Sequence, residues 1–204
     1  MLAAAAAGVQ PDDVVIDVCA APGGKSIQIS EGLKNGQITA RDLTENKIAM
    51  IEENMDRMQA ENIQAECRDA LEYVPEDEER ADVIIADLPC SGLGVIGRKP
   101  DIKYNMNLDN MNALAELQKA ILKQVMHYVK PGGTLLYSTC TVNPKENEEN
   151  VRWILENGPF ESVSLEGILP KQIVSDTLKD GYIQLIPGEY GTDGFFIARF
   201  RRRK

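Results

Sequence analysis

A chain of 204 residues with 43% hydrophobic and 26% charged side chains has the composition of one soluble globular domain. Its formal net charge of -10 excludes a protein that holds nucleic acid by bulk electrostatics, which takes clustered Lys and Arg; any such contact is local or assisted by another segment. No apolar run approaches a membrane span and MLAAAAAG lacks the basic start and cleavage site of a signal peptide, so no membrane partner and a cytoplasmic location are expected.

The alanine run at 3–7 predicts a helix leading into a first strand, DVVIDVC at 13–19. A helix over 24–33, a strand QITARD at 37–42, a helix from 44 to about 60 and a strand IQAECRD at 63–69 follow. The acidic PEDEER separates this half from the strand ADVIIADL at 81–88. After the loop PCSGLGVIGRKPD come a long helix over 108–129, the turn KPGG and the strand GTLLYSTC at 133–140. A helix beginning near Pro144 runs through Trp153, and YIQLIP and GFFIARF read as two closing strands. Seven strands alternating with helices predict an α/β doubly wound fold, a mostly parallel seven-stranded sheet covered on both faces, with a hairpin-like antiparallel pair at one edge. Residues 1–204 read as a single domain without internal repeats or a linker.

In such sheets ligands bind beyond the carboxyl ends of the strands. Every unusual loop here follows a strand: CAAPGGKS, Asp42, Asp69, DLPCSG and STCTVNP. The turn of Cys19, Ala20, Ala21, Pro22, Gly23, Gly24 and Lys25 is built of small residues, which let a backbone approach a ligand closely. It matches neither G-x-G-x-x-G nor the phosphate loop that GGKS superficially suggests. Asp42, at the end of the next strand, is placed to accept the two hydroxyls of a ribose, and Asp69 to meet an adenine amino group; the competing reading makes each a helix cap. An adenosine site indifferent to pyrophosphate favours S-adenosylmethionine over NAD or ATP. Lys25 is a charge partner for a site acid or for the cofactor's carboxylate.

Four cysteines lie far apart with no C-x-x-C pair and His127 is the only histidine, so neither a zinc site nor a disulfide framework is expected. Cys67 reads as an inert small hydrophobe within its strand, and Cys19 as structural. Cys90 and Cys140 differ, since both follow strands on the same sheet edge. Two thiols facing an S-adenosylmethionine pocket point to methylation of a pyrimidine at C5, a carbon that becomes nucleophilic once a thiolate adds to C6. Asp87 is suited to sharing a proton with N3 of the ring. Arg98, Lys99 and Lys103 follow the PCSG loop and form a local candidate RNA contact, whereas the terminal run Arg201, Arg202, Arg203 and Lys204 reads as a solvated tail.

The stretches DVCAAPGGKS, ADLPCSGLGVIGRKPDIKY, YSTCTVNPKENEENV and GTDGFFIARF resemble the RNA cytosine-C5 methyltransferases of the RsmB/Nop2/Sun family, most closely the bacterial RsmB type acting on 16S ribosomal RNA. The resemblance implies a Rossmann-like methyltransferase fold, Cys140 as the nucleophile that adds to C6, and Cys90 as the group that assists product release. It further implies that Asp87 contacts the cytosine and the cofactor, and that Cys19 through Lys25, Asp42 and Asp69 surround S-adenosylmethionine. Ser26 and Thr141 stand where the family often has Thr and Ser, hydroxyl swaps that leave the assignment intact. The family's N-terminal NusB-like RNA-binding region is not found in this chain, which reads as a monomeric catalytic domain. A transfer-RNA methyltransferase and a non-catalytic RNA-binding scaffold remain alternatives. A DNA cytosine methyltransferase, in which the PC cysteine attacks, is disfavoured by the second thiol, and a dehydrogenase by the missing glycine fingerprint.

Overall fold

Strands packed between helices are buried on both faces and read as continuous apolar runs. VVID and ADVIIAD are two such runs, and a computed structural model describing residues 2–204 places them at the centre of one sheet. Its strands are β1 (Val14–Asp17), β2 (Gln37–Asp42), β3 (Ile63–Cys67), β4 (Ala81–Asp87), β5 (Val129–Thr139), β6 (Phe160–Ser162), β7 (Tyr182–Leu185) and β8 (Phe195–Arg202). They run in the order β3-β2-β1-β4-β5-β8-β6, with β7 also pairing β8. β1 to β5 pair in parallel, and β8 is antiparallel to every neighbour.

Eight strands thus replace the seven expected. The additional one, β6, has three residues, too few to carry a periodic signal. It pairs with β8 at Phe200–Arg202 while β7 pairs at Phe195–Ala198, so the two short strands share one edge of β8.

The helices are α1 (Leu2–Ala7), α2 (Gly24–Ser30), α3 (Glu45–Met58), α4 (Ile102–Asn105), α5 (Leu108–Val125) and α6 (Glu148–Asn157). Alternation along the strands sorts the core into two layers. Val15, Val83, Ile85, Leu136 and Ile197 face α1, α2 and α3, whereas Ile16, Ile84, Leu135 and Phe200, which lie side by side across the sheet, face α5 and α6.

Several boundaries differ from expectation. α5 ends at Val125, a single 3-10 turn follows, and β5 begins at Val129, so KPGG lies inside a strand, beside a register shift between Ala81 and Val83. α6 starts at Glu148, after a turn over 144–147. The basic run is not simply a tail. Arg201 and Arg202 belong to β8, and Arg202 bonds the carbonyl of Val129 (2.6 Å) and the carboxylate of Glu79 (2.6 Å). Among the described residues no helix is long and apolar enough to cross a membrane.

Strand order reverses between β1 and β4, which opens a crevice at their carboxyl ends. Asp17, Asp42, Asp87 and Thr139 end β1, β2, β4 and β5 there.

Candidate active site

The turn after β1 is folded by its own small residues. Gly23 N–H donates to the Ala20 carbonyl (2.6 Å), Ala20 N–H to the Arg41 carbonyl (2.8 Å), the Ala21–Pro22 bond is cis, and Gly23 has a φ of 97° that only glycine adopts freely as α2 begins. Asp42 orders this turn from the neighbouring strand. It is buried, its Oδ2 accepts from Ala21 N–H (2.9 Å), and its Oδ1 accepts from Leu43 N–H (2.8 Å) and Lys47 Nζ (2.8 Å). Asp69 lies two residues beyond the end of β3, and its Oδ1 accepts from Leu71 N–H (2.9 Å).

Cys19, Asp42 and Asp69 line one cavity of about 110 Å³, together with Lys47 and the apolar side chains of Val18, Leu43, Leu71, Pro89, Leu117 and Ile121. Ala20, Ala21, Pro22, Gly23 and Gly24 form the turn next to Cys19 without lining it. Leu43 and Leu71 are 56% and 42% exposed, an unusual state for leucines beside a cavity that also holds two acids. Acids between apolar walls suit a nucleoside, whose ribose is polar and whose base has two apolar faces. Sequence reasoning missed Leu43, Leu71 and Lys47; only their positions just past strand ends could have signalled them. The Cys19 thiol is raised by burial and by the charges of Asp42 and Asp17, which keeps it neutral.

Beneath the turn lies Asp17, which is wholly buried. Burial, with the charge of Asp87 adding to it, raises its carboxyl to about 7. Ser26 Oγ donates to its Oδ2 (2.7 Å) while its Oδ1 has no partner. A hydroxyl is what residue 26 contributes, consistent with serine standing in for threonine.

The second half of the site assembles from β4, β5 and β8. Cys90 Sγ and Cys140 Sγ are 3.2 Å apart, and both are free thiols. Asp87 Oδ1 accepts from Ser138 Oγ (2.6 Å), and its Oδ2 pairs with Lys25 Nζ. Lys25 Nζ also lies 5.5 Å from the centre of the Phe195 ring. The lysine is therefore turned towards a site acid. Burial lowers its pKa, but the Asp87 carboxylate, with the charges of Asp17 and Cys140, outweighs burial and raises it. The Cys140 thiol is lowered, first by the hydrogen bond from Cys90 and also by Lys25, against burial and Asp87. Cys90 is raised, by the same hydrogen bond and by burial. Of the two, Cys140 is the thiol drawn towards its ionised form and Cys90 the one held towards its protonated form.

These loops are tied to one another by contacts invisible to local pattern. Gly94 N–H donates to the Cys140 carbonyl (3.0 Å), and Gly194 N–H donates to the Gly94 carbonyl (2.8 Å). A methyl group on Gly94 would stand 2.2 Å from the Gly194 oxygen. Ser91 Oγ meets Thr141 Oγ1 (2.7 Å), and both Ser91 Oγ and Ser91 N–H donate to the buried carboxylate of Glu146. Glu146, Ser91, Gly94 and Gly194 escaped sequence reasoning, although the glycines of SGLG and TDGFF were a legible sign of close backbone approach.

Arg98, Lys99 and Lys103 are exposed. Arg98 Nε pairs with Asp193 Oδ2 (2.9 Å), and Lys103 Nζ lies 5.7 Å from the ring of Tyr104, itself 83% exposed. Ile102 of α4 packs on Gly92, which fixes this basic edge to the loop that bears Cys90. Cys67 lies within β3 as expected and pairs with Asp42, but β3 is the outermost strand and the thiol is exposed.

Residues 4–201 match the family model for 16S rRNA methyltransferase RsmB/F. Among curated relatives, the probable ribosomal RNA small subunit methyltransferase B of Bacillus subtilis is 45% identical over 207 residues, covering 100% of this chain and 46% of its own length. The ribosomal RNA small subunit methyltransferase F of Cronobacter sakazakii is 36% identical, covering 92% of this chain and 40% of its own length. The chain thus spans less than half the length of these relatives. The crystal structure of NSun6 from Pyrococcus horikoshii with SFG superposes with a TM-score of 0.87 at 32% identity, over 100% of this chain and 51% of that one. By the match over 4–201 and by these identities, the chain belongs to the RsmB/RsmF family of methyltransferases.

Proposed function

We propose that this chain is the catalytic domain of an S-adenosylmethionine-dependent RNA methyltransferase that acts as a monomer in the cytoplasm on C5 of a cytosine in 16S ribosomal RNA. The observation that carries the reading is the pair of thiols 3.2 Å apart, flanked by the Asp87–Lys25 ion pair and adjoining a nucleoside-like cavity. S-adenosylmethionine, the methyl donor of this family, supplies an electrophilic methyl group when bound. The cavity residues Cys19, Asp42 and Asp69, with the apolar faces of Leu43 and Leu71, are suited to hold its adenosine.

The chain's own residues do the rest. Cys140 Sγ, as thiolate, forms a bond to C6 and moves electron density to C5, which takes the methyl group. Asp87, held by Ser138 and Lys25, is suited to share a proton with N3 of the ring, and that proton neutralises the negative charge that addition at C6 places there. A base takes the C5 proton, the C–H electron pair restores the C5–C6 double bond, and the C6–S bond breaks with its electrons returning to Cys140. Cys90, already in hydrogen-bond contact with that sulfur, assists the departure. Arg98, Lys99, Lys103 and exposed Tyr104 offer phosphate and base contacts on a surface whose net charge otherwise repels RNA.

Labelled cofactor supplied with separate ribosomal and transfer RNA pools tests the substrate, and adduct trapping tests the roles of the thiols. Cys140→Ala is expected to form no covalent adduct and to transfer no methyl group. Cys90→Ala is expected to add and methylate once and then release slowly, so that a protein–RNA adduct survives denaturing electrophoresis. An adduct trapped by Cys140→Ala and not by Cys90→Ala would reverse the two roles.

A further inference from the structure

Behind the cysteines sits a carboxylate that no step above uses. Glu146 is fully buried, and all four of its side-chain contacts come from donors. Oε1 accepts from Ser91 Oγ (2.6 Å) and Asn143 Nδ2 (2.8 Å); Oε2 accepts from Ser91 N–H (2.8 Å) and Gln118 Nε2 (3.1 Å). Its main-chain oxygen is engaged as well, by Tyr137 Oη and by Asn150 Nδ2 (3.1 Å). Burying a carboxylate costs far more than burying an apolar group of equal size, so loop closure alone does not call for one.

What the carboxylate grips is informative. Ser91 follows Cys90 directly, Thr141 follows Cys140 directly, and the two hydroxyls meet at 2.7 Å. Glu146 holds Ser91 by main chain and side chain together, and it reaches the segment after Cys140 through the Ser91 hydroxyl and through Asn143. A neutral apolar residue could fill the space but could not orient two donors of one residue at once. We propose that Glu146 is the positioning residue of the cysteine pair, the group that holds Cys90 Sγ within hydrogen-bond reach of Cys140 Sγ.

The inference rests on the reading of Cys140 as nucleophile, but it is testable without RNA or cofactor. The groups facing Cys140 are Cys90, Asp87 and Lys25, and Cys90 is the largest influence on its thiol. Asp87 and Lys25 lie outside the Glu146 network and are unchanged by a substitution there. Loss of the clamp therefore registers as loss of the Cys90 contact.

The experiment is alkylation of Cys140 by iodoacetamide as a function of pH, followed by peptide mapping. For the wild-type chain the midpoint should lie below the ordinary thiol value of about 8.5. In Glu146→Gln an amide donor replaces an oxygen that accepts two hydrogen bonds. The midpoint should rise by about one pH unit, so that the thiolate fraction at pH 7 falls about tenfold. Binding of S-adenosylmethionine, read by calorimetry, should stay within about twofold, because Glu146 does not line that cavity. Ser91→Ala keeps the main-chain bond but removes both hydroxyl contacts, and should move the midpoint the same way by less; it decides the matter if Glu146→Gln does not fold. Unchanged midpoints in the folded variants overturn the proposal. A lowered wild-type midpoint with no methyl transfer to any RNA would retire the proposed function and leave the clamp standing.

Discussion

The two halves of the site are built on different principles. Around the proposed cofactor cavity the two acids are held mostly by short-range bonds: Asp69 to Leu71 two residues away, Asp42 to Leu43 and Lys47, with Ala21, in the turn after β1, as its one distant partner. Two of its walls, Leu43 and Leu71, are exposed leucines. Around the cysteines most contacts span the chain, from Lys25 to Asp87, Ser91 to Glu146 and Gly94 to Gly194, and Ser91, Thr141 and Glu146 are buried. The difference teaches that a cavity receiving an existing ligand is served by local geometry, whereas placing two sulfur atoms relative to each other requires the whole topology.

The contrast can be tested, beginning with the largest effect. Asp17 belongs to the cofactor half yet is a buried acid without a full set of partners. Its carboxyl lies at about 7 when folded against 3.8 for an ordinary aspartate. The native state therefore holds this proton more tightly than the unfolded chain. The associated stability is fully present below about pH 4, is lost as pH rises towards about 7, and is flat above. Asp17→Asn keeps an acceptor for Ser26 and removes the titration. Denaturant unfolding of both proteins from pH 5 to 8 should show the variant gaining relative stability as pH rises to about 7, by about 3 kcal/mol at about 1.4 kcal/mol per pH unit. Parallel curves would show that Asp17 does not titrate.

Next comes Gly94→Ala, which forces a methyl group against the Gly194 carbonyl. A loss of about 2.5 kcal/mol in unfolding free energy is expected, towards the upper end for overpacking, because the obstruction is backbone. Gly97, in the same loop, would carry a methyl group with no other atom within 4 Å, so Gly97→Ala is the matched control and should change stability by less than about 0.5 kcal/mol. Equal effects at the two glycines would mean that the cysteine half is not closed by these contacts.

In the cofactor half Asp42→Ala should weaken S-adenosylmethionine binding by about 2 kcal/mol, the range for hydrogen bonds to a charged group. Unchanged affinity in calorimetry would reduce Asp42 to a brace for Ala21, Leu43 and Lys47. Smallest of all, Leu71→Ala should cost about 1 kcal/mol in cofactor affinity with no change in melting temperature, since its side chain is already partly exposed. A drop in melting temperature without a loss of affinity would make Leu71 an ordinary packing residue.

The same contrast explains what was legible in the sequence. The parallel sheet, the strand-end acids and the convergence of Cys90 with Cys140 follow from patterns a few residues long, and the structure places those groups at one sheet edge. Lys25 could be read as a charge partner, but its choice of Asp87 depends on β1 lying beside β4. Glu146 sits in a polar stretch, NPKENEEN, where nothing local separates a buried clamp from a solvated face. Likewise β6 has no legible signal because three residues have no period, and the exposure of Cys67 is illegible because strand membership does not say which strand lies at the sheet edge.

The approach of Gly94 to Gly194 has a consequence for folding order. The two residues lie about a hundred positions apart, and β8 must insert beside β5 before their backbones can bond. Loop-closure entropy is paid in full before that contact returns anything, which favours its late formation. The early sheet, β1 to β4, together with α5 can form the proposed nucleoside cavity first, whereas the sulfur pair acquires its spacing only when the last strand is seated. Amide hydrogens of Gly94 and Gly194 should accordingly exchange only through opening of the β5–β8 pairing, and the alkylation chemistry of Cys140 becomes a gauge of whether that final docking has occurred.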